Sequence, residues 1–386
     1  MKLFYRYMIS LFILLLTGCS SIYVKEPLPT TIDINKLRSI HTGESENTFV
    51  KVPILLATDR KINVNANKLI KIFQNNRGNG EIHYSEVNVS IPKSHTIGEL
   101  DKKSLWKLEF VDDPAKHMMI FPNPFLLDRQ SFYNVLKNRL LSYSDGDIII
   151  FIHGFNNNIE DAVLRTAQIS YDLETISNKQ FIPMTYSWPS KNKIGEYLTD
   201  YEAAEWSVPH LKEFLLDVYA NSNGRNINVI VHSMGNQVFA KALSELFQEK
   251  KDIKLNQVIL AAPDIDAKIF MDNIVPAIEN STNRTTVYMS NEDKAIFVSE
   301  KIRLTEPRLG RHDKGLKDII NSHKIQKNKL NFISVPLTNF SSLLKLNHSY
   351  FAQDEIVIRD ISNAISNKTV DERINLTKDS WLYYIK

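Results

Sequence analysis

The chain has 386 residues, of which 43% are hydrophobic and 24% are charged. This composition can bury the core of one large α/β domain or of two modest domains, and it excludes a disordered chain. The formal net charge is +3, and two of those charges lie in a cleavable N-terminal segment. A charge so close to neutral argues against nucleic acid as a partner.

Residues 1–18 have the layout of a secretory signal peptide. Lys2 and Arg6 precede an apolar run over 8–16, which is too short to span a bilayer. The run ends in Leu16-Thr17-Gly18-Cys19, which resembles the bacterial lipobox, and this resemblance implies cleavage before Cys19 and lipid on its thiol. Cys19 is also the single cysteine, so it has no disulfide partner. The alternatives are an ordinary cleaved secretory peptide and an uncleaved anchor.

The segment that follows the lipobox indicates where the protein is held. Residues 19–47 are polar, include Pro27 and Pro29 and show no sustained period, so we interpret them as a flexible tether. Ser20 after the cysteine resembles lipoproteins of double-membraned bacteria that reach the outer membrane. We therefore expect a protein of the bacterial cell envelope, attached by lipid, at the outer membrane in preference to the inner one.

Residues 48–145 are predicted to form an N-terminal part that is rich in β-structure. Strand-like pieces occupy 52–58, 81–91, 106–110 and 117–121, and helical spacing of apolar residues covers 131–141. The later half of the second piece alternates polar and apolar residues. This pattern predicts antiparallel pairing with one face exposed to solvent.

Residues 146–386 alternate short apolar runs with longer amphipathic ones, which is typical of βαβ units and a parallel sheet. The predicted strands are 148–152, 181–188, 229–231, 257–261, 286–289 and 332–335. The predicted helices are 158–176, 195–219, 234–249, 267–278, 293–301 and 353–365. The charged stretch 303–331 lacks an apolar period and is interpreted as a surface excursion. The fold class is therefore α/β, a mostly parallel sheet flanked by helices with an antiparallel N-terminal extension.

The stretch 228–240 has the pattern of a nucleophile elbow. A short apolar strand meets Ser233, and Gly235 opens a helix-compatible run, so the serine hydroxyl would stand clear of the sheet. Val231 occupies the position of the first glycine in G-x-S-x-G, so only the serine and the second glycine of the motif are present. Ser-x-Gly also occurs by chance, and the alternative is a strand end with a helix-capping serine.

A second loop has the place of an oxyanion loop. His153, Gly154 and Phe155 close the first strong parallel strand, two strands before the elbow. In an α/β-hydrolase this loop and the residue after the nucleophile each supply a backbone N–H to the oxyanion. Phe155 and Met234 are the candidates. On its own, the His-Gly pair could equally be a glycine turn at a strand end.

Several separate segments, in the right order, resemble the bacterial α/β-hydrolase branch known as domain of unknown function 900. They are Phe151-Ile152-His153-Gly154-Phe155-Asn156, Tyr186-Ser187-Trp188-Pro189, His232-Ser233-Met234-Gly235-Asn236, Ala261-Ala262-Pro263-Asp264-Ile265-Asp266 and Asn347-His348-Ser349-Tyr350-Phe351 and, nearer the N-terminus, Ala57-Thr58-Asp59-Arg60 and Asn76-Arg77-Gly78. The resemblance implies an α/β-hydrolase fold and a serine nucleophile, without indicating a substrate. Val231, where that family tends to have a smaller residue, is the main departure.

A serine hydroxyl needs a base to take its proton, and in this fold the order is serine, acid, histidine. After Ser233 the chain contains His312, His323 and His348. His348 is the predicted base because it follows the last predicted parallel strand and precedes a helix. The alternative is a polar helix cap. His232 alternates to the other side of its strand, which favours a packing role.

The acid has two candidate positions. Asp293 follows the strand 286–289, the usual acid position in this fold, and is the predicted acid, with Glu292 as a fallback. Asp264 and Asp266 follow the preceding strand, and N-capping of a helix is the expected role of one or the other.

These residues predict a membrane-anchored serine hydrolase, an esterase or lipase-like enzyme acting on small-molecule or lipid carboxylic esters through an acyl-enzyme on Ser233. Histidines at metal-ligand spacing are lacking, so neither a metal nor another cofactor is expected. The alternative is a lipoprotein that keeps the α/β-hydrolase fold without activity and has a binding or structural role. The sequence does not distinguish an ester from an amide or a thioester, and it does not indicate the acyl-chain length.

Overall fold

The computed structural model describes residues 48–102, 113–122, 124–143, 145–303, 307–336, 348–373 and 375–385. The predicted signal peptide with Cys19, the tether and the predicted strand 106–110 lie outside these ranges. Within them, no helix combines the length and the apolar character that a bilayer crossing requires.

The elements are numbered in chain order. The strands are β1 (Phe49–Thr58), β2 (Arg60–Ile62), β3 (Phe73–Arg77), β4 (His83–Pro92), β5 (Met119–Ile120), β6 (Phe125–Leu127), β7 (Asp147–Ile152), β8 (Phe181–Ser187), β9 (Ile227–His232), β10 (Leu255–Ala261), β11 (Thr282–Met289), β12 (Leu330–Ser334), β13 (Leu376–Asp379) and β14 (Leu382–Ile385). The helices are α1 (Leu69–Ile72), α2 (Arg129–Ser142), α3 (Ile159–Ser177), α4 (Tyr197–Asn221), α5 (Gly235–Gln248), α6 (Ala267–Ile269), α7 (Val275–Ser281), α8 (Lys294–Arg303), α9 (Lys314–Asn321) and α10 (Glu355–Ile365).

One mixed sheet of twelve strands organises the molecule, in the order β13-β14-β12-β11-β10-β9-β7-β8-β1-β4-β5, with β6 also paired to β4. The strands from β1 through β8, β7, β9, β10, β11 and β12 to β14 run parallel to their neighbours. β4, β5, β6 and β13 pair antiparallel, and β2 and β3 form a separate small antiparallel sheet. The predicted fold class is confirmed.

Successive residues of the central strands point to opposite faces of the sheet, and both faces are covered. In β7, Ile148 and Ile150 pack in a cluster with residues of α2, α4 and α5. Ile149 and Phe151 pack on the other face with residues of α3 and α10. Because parallel strands buried on both faces must be apolar at nearly every position, they read in the sequence as continuous apolar runs.

Expectations about the flanks of the sheet needed three corrections. The expected antiparallel pairing is confirmed for β4, β5 and β6, and Glu86 and Asn88 of β4 are half-buried, but β1 is buried along nearly its whole length and has no exposed face. Residues 303–331 are more than a surface excursion, because Arg308 is buried and the range contains α9. The predicted strand 332–335, which corresponds to β12, is not the last parallel strand, since β14 pairs parallel with it.

Candidate active site

Ser233 lies in a strained turn between β9 and α5. Its φ is 51°, in the left-handed region that costs a non-glycine residue about 1–3 kcal/mol. The backbone N–H of Ser233 donates to the carbonyl of Ala261 at 3.0 Å, so the end of β10 holds the turn. The serine therefore stands at the carboxyl edge of the sheet, the edge at which open α/β sheets bind their ligands.

Two glycines allow the close packing around this turn. A Cβ on Gly235 would lie 2.4 Å from the backbone oxygen of His153, which no real side chain tolerates. A Cβ on Gly154 would lie 2.7 Å from the Cβ of Ser233. The loop after β7 therefore touches the serine directly, and both contacts require glycine.

Val231 does not disturb the elbow. It lies opposite Ile152 on one neighbouring strand and opposite Leu260 on the other, and its side chain is fully buried in the core. The departure from the G-x-S-x-G pattern is therefore accommodated by packing, with Ser233 still in its positive-φ conformation.

The structure brings Ser233, His348 and Asp293 together in one chain of hydrogen bonds. Ser233 Oγ lies 2.6 Å from His348 Nε2, and His348 Nδ1 lies 2.8 Å from Asp293 Oδ2. A carboxylate only accepts, so Nδ1–H donates to Asp293, which leaves Nε2 to accept from the serine hydroxyl. The three side chains have the geometry of a nucleophile, a base and an orienting acid.

Asp293 is held by the start of α8. Its Oδ1 accepts from the backbone N–H groups of Ala295 and Ile296, at 3.0 and 3.1 Å. Its side chain has no exposed surface, whereas that of His348 is 17% exposed. One carboxylate oxygen therefore caps the helix while the other faces the imidazole.

The charge around His348 favours its protonated form. Burial lowers the pKa of His348, but the negative charge of Asp293, the hydrogen bond from Nδ1 and the charge of Asp264 outweigh it, and the net shift is upward from 6.5. An imidazolium that forms when the serine loses its proton is stabilised by the same charges.

His232 contacts the predicted base. It lies on the α3 and α10 side of β9, where its ring stacks on Phe351 at 4.6 Å between centroids and meets the ring of His348 at 4.7 Å. Its Nε2–H donates to the His348 carbonyl at 3.1 Å. Burial, and then the neighbouring His348, hold the pKa of His232 well below its usual value. A neutral imidazole therefore packs on the ring of the predicted base and donates a hydrogen bond to its backbone.

Asp264 and Asp266 have different environments. Asp266 caps α6 by accepting from the N–H of Ile269 at 3.0 Å, as expected. Asp264 is buried instead and accepts from the hydroxyls of Tyr197 at 2.7 Å and Ser299 at 2.6 Å. Asp264 also pairs with Arg308 at 3.3 Å. The sequence carried no local signal for this cluster because Tyr197, Asp264 and the pair Ser299 and Arg308 lie far apart in the chain.

The other candidates have different hydrogen-bond partners. Glu292 is exposed and accepts from the hydroxyl of Ser290 at 2.8 Å. His312 Nε2 lies 2.7 Å from the hydroxyl of Ser334, and His323 Nε2 lies 2.8 Å from Asp272. Across the described ranges, no group of three or more potential metal-ligating side chains could hold a metal ion.

The two predicted oxyanion donors flank the serine. Met234 is the N-cap residue of α5, so its N–H lies at the positive end of that helix. Phe155 follows Gly154, whose backbone packs on Ser233. The ring of Phe155 meets Tyr197 edge-on at 5.4 Å between centroids. Both predicted donors therefore belong to backbone segments that adjoin Ser233.

Residues 128–366 match a family model described as an alpha/beta hydrolase of unknown function, DUF900. The chain belongs to this family. The match extends from α2 to the C-terminal end of α10 and contains Ser233, His348 and Asp293, so the predicted family is confirmed. The segments 57–60 and 76–78, which also resemble the family, lie outside the matched residues. The family is one of hydrolases by fold, and its description names no substrate.

No curated protein matches the sequence of this DUF900 member. Among solved structures, it is similar to an uncharacterised protein from Capnocytophaga ochracea DSM 7271, with 9% sequence identity and a TM-score of 0.32. That alignment covers 71% of this chain and 60% of the other.

Proposed function

We propose that the protein is a serine hydrolase that cleaves carboxylic esters through an acyl-enzyme on Ser233. The observation that carries the proposal is the hydrogen-bond chain from Ser233 through His348 to Asp293, on a serine held at positive φ. Membership of an α/β-hydrolase family supports the general class of reaction. An unused serine would not require a strained turn with an imidazole at 2.6 Å.

The reaction proceeds in two halves. In the first, Ser233 Oγ attacks the ester carbonyl while His348 Nε2 takes its proton, and the oxyanion accepts from the amides of Phe155 and Met234. The imidazolium, stabilised by Asp293, then returns the proton to the departing alcohol. In the second, His348 deprotonates a water that attacks the acyl carbonyl, and the proton passes back to Ser233 as the acid is released.

The proposal includes a lipid anchor on Cys19, supported by the lipobox-like sequence that ends at this residue. A protein tethered by residues 19–47 to the cell envelope, at the outer membrane, reaches both soluble esters and esters at a lipid surface. The substrate class is therefore a small-molecule or lipid ester.

The test is pre-steady-state hydrolysis of p-nitrophenyl esters of increasing acyl length by the full-length protein in detergent. An acyl-enzyme predicts a burst of p-nitrophenol that approaches one equivalent per chain, followed by slower turnover, and Ser233→Ala should lack both. Matched anilide and thioester substrates then rank the acyl bonds. A protein that is folded by circular dichroism and hydrolyses none of them contradicts the proposal, and it favours the inactive lipoprotein with a binding or structural role.

A further inference from the structure

Arg60, in the N-terminal part of the chain, ties together the two loops that follow β7 and β8. Its side chain is fully buried. Nε donates to Ser187 Oγ at 3.0 Å, and Nη1 donates to Asn75 Oδ1 at 2.8 Å and to the carbonyl of Ser190 at 3.1 Å. Nη2 donates to the carbonyl of Asn157 at 3.1 Å. Burial lowers the pKa of Arg60 to about 10, so it remains charged at neutral pH.

These contacts determine which nitrogen of His153 carries a proton. Because Ser187 Oγ accepts from Arg60, its own O–H is free to donate to His153 Nε2 at 3.0 Å. Arg60 Nη2 also lies 3.4 Å from Nε2, and a guanidinium cannot accept. His153 Nδ1 lies 2.8 Å from the carbonyl of Gly154, which can only accept. The arrangement favours a neutral ring with its proton on Nδ1.

One feature of the site favours the opposite tautomer. The carbonyl of Trp188 lies 3.1 Å from His153 Nε2 and would accept a proton from it. That tautomer, however, would set the lone pair of Nδ1 against the Gly154 oxygen at the shorter distance of 2.8 Å. Burial and the charge of Arg60 lower the pKa of His153 to about 3, so a ring protonated on both nitrogens is disfavoured near neutral pH.

The Gly154 carbonyl belongs to the same peptide unit as the N–H of Phe155. A hydrogen bond to this carbonyl fixes the plane of the peptide and polarises its N–H. The side-chain amide of Asn157 also donates to the Gly154 carbonyl, at 3.4 Å, and to the carbonyl of Phe155 in the next peptide unit, at 2.8 Å.

We propose that Arg60 is a positioning residue for the oxyanion hole. Acting through Ser187, it holds His153 as the Nδ1–H tautomer, and His153 holds the Gly154–Phe155 peptide with its N–H directed at the developing oxyanion. This role rests on the proposed function for its chemical step, whereas the hydrogen-bond relay is a property of the resting protein.

Nitrogen-15 NMR of histidine-labelled full-length protein tests the relay without any substrate. His153 should show a protonated Nδ1 and an unprotonated Nε2 near neutral pH, and the His153→Asn variant assigns its signals. In Ser187→Ala the Nε2 resonance should shift, because the nitrogen loses its donor. A wild-type spectrum with the proton on Nε2, or with both nitrogens protonated, overturns the relay.

Kinetics of ester hydrolysis test its consequence. Ser187→Ala removes one hydroxyl and should lower kcat by about 10- to 100-fold with KM nearly unchanged, because oxyanion contacts strengthen in the transition state. The loss is expected to be smaller than that on removal of an oxyanion-hole donor itself, which costs ~10²–10³-fold in kcat. Arg60→Lys keeps the charge without the forked geometry and should also lower kcat. The matched control is Ser90→Ala, a buried serine of β4 that donates to the carbonyl of His117.

The outcomes separate the two proposals. Equal kcat values for Ser187→Ala and Ser90→Ala overturn the positioning role of the relay while leaving the hydrolase proposal intact. A wild-type protein that turns over no ester contradicts the proposed function and the positioning role together.

Discussion

Asp293→Asn should remove most of the activity while keeping the fold. The asparagine oxygen can still accept from the two α8 amides that Oδ1 accepts now, at 3.0 and 3.1 Å. Its NH₂ group then faces His348 Nδ1, 2.8 Å from the present Oδ2. Because NH₂ donates, the imidazole proton moves to Nε2, which can no longer accept from Ser233.

The expected cost follows from this wrong tautomer. An aspartate-to-asparagine change in a triad lowers kcat by about 10⁴-fold, which corresponds to about 5.5 kcal/mol of barrier. The assay is kcat/KM per folded molecule, with thermal unfolding measured beside it. The control, Asp264→Asn, breaks the buried pair with Arg308 and should cost about 3–5 kcal/mol of stability, with far less loss of activity in the folded fraction. If Asp293→Asn retains activity within about tenfold of wild type, or if Asp264→Asn is the more damaging to chemistry, the assignment of the acid is wrong.

The remaining predictions concern pH, packing and the anchor. Burial lowers the pKa of His348, but Asp293 raises it by more, so the net shift is upward from 6.5. Because only the neutral ring accepts a proton, kcat/KM should fall as pH falls, with a midpoint above 6.5. A midpoint below 6.5 contradicts the electrostatics. Gly235→Ala places a Cβ 2.4 Å from the His153 oxygen and should lower the free energy of unfolding, measured by chemical denaturation, by about 1–3 kcal/mol or more. The control Gly195→Ala places a Cβ with nothing within 4 Å and should change that free energy by no more than about 0.5 kcal/mol. Cys19→Ser should abolish incorporation of labelled palmitate, and unchanged incorporation would refute the lipobox interpretation.

The central sheet and the elbow could be predicted because both depend on local patterns. A parallel strand covered on both faces is a continuous apolar run, as in β7 and β9, and the elbow is a strand, a serine and a glycine in sequence. In this fold the acid and the histidine follow the serine in the chain, each after a parallel strand, and few residues meet that condition. This order predicts Asp293 and His348. The structure brings both to Ser233, and their catalytic roles remain predictions.

Features that depend on distant partners could not be predicted. A charged residue such as Arg308 predicts exposure unless its buried partner Asp264 is known, so the range 303–331 was misinterpreted. β13 is mostly exposed and short, which leaves no apolar pattern to mark it. Arg60 belongs to a segment that resembles the family, but its contacts could not be predicted, because most of its partners lie about 100 residues or more further along the chain.

The most direct test of the central claim is the reaction of full-length protein with a fluorophosphonate, read by intact mass and peptide mapping. An elbow serine backed by a base reacts at neutral pH, whereas ordinary serines do not. The account predicts one adduct per chain, located on Ser233, that is absent in both Ser233→Ala and His348→Ala. Folded wild-type protein that forms no adduct, or an adduct that persists in Ser233→Ala, would contradict it.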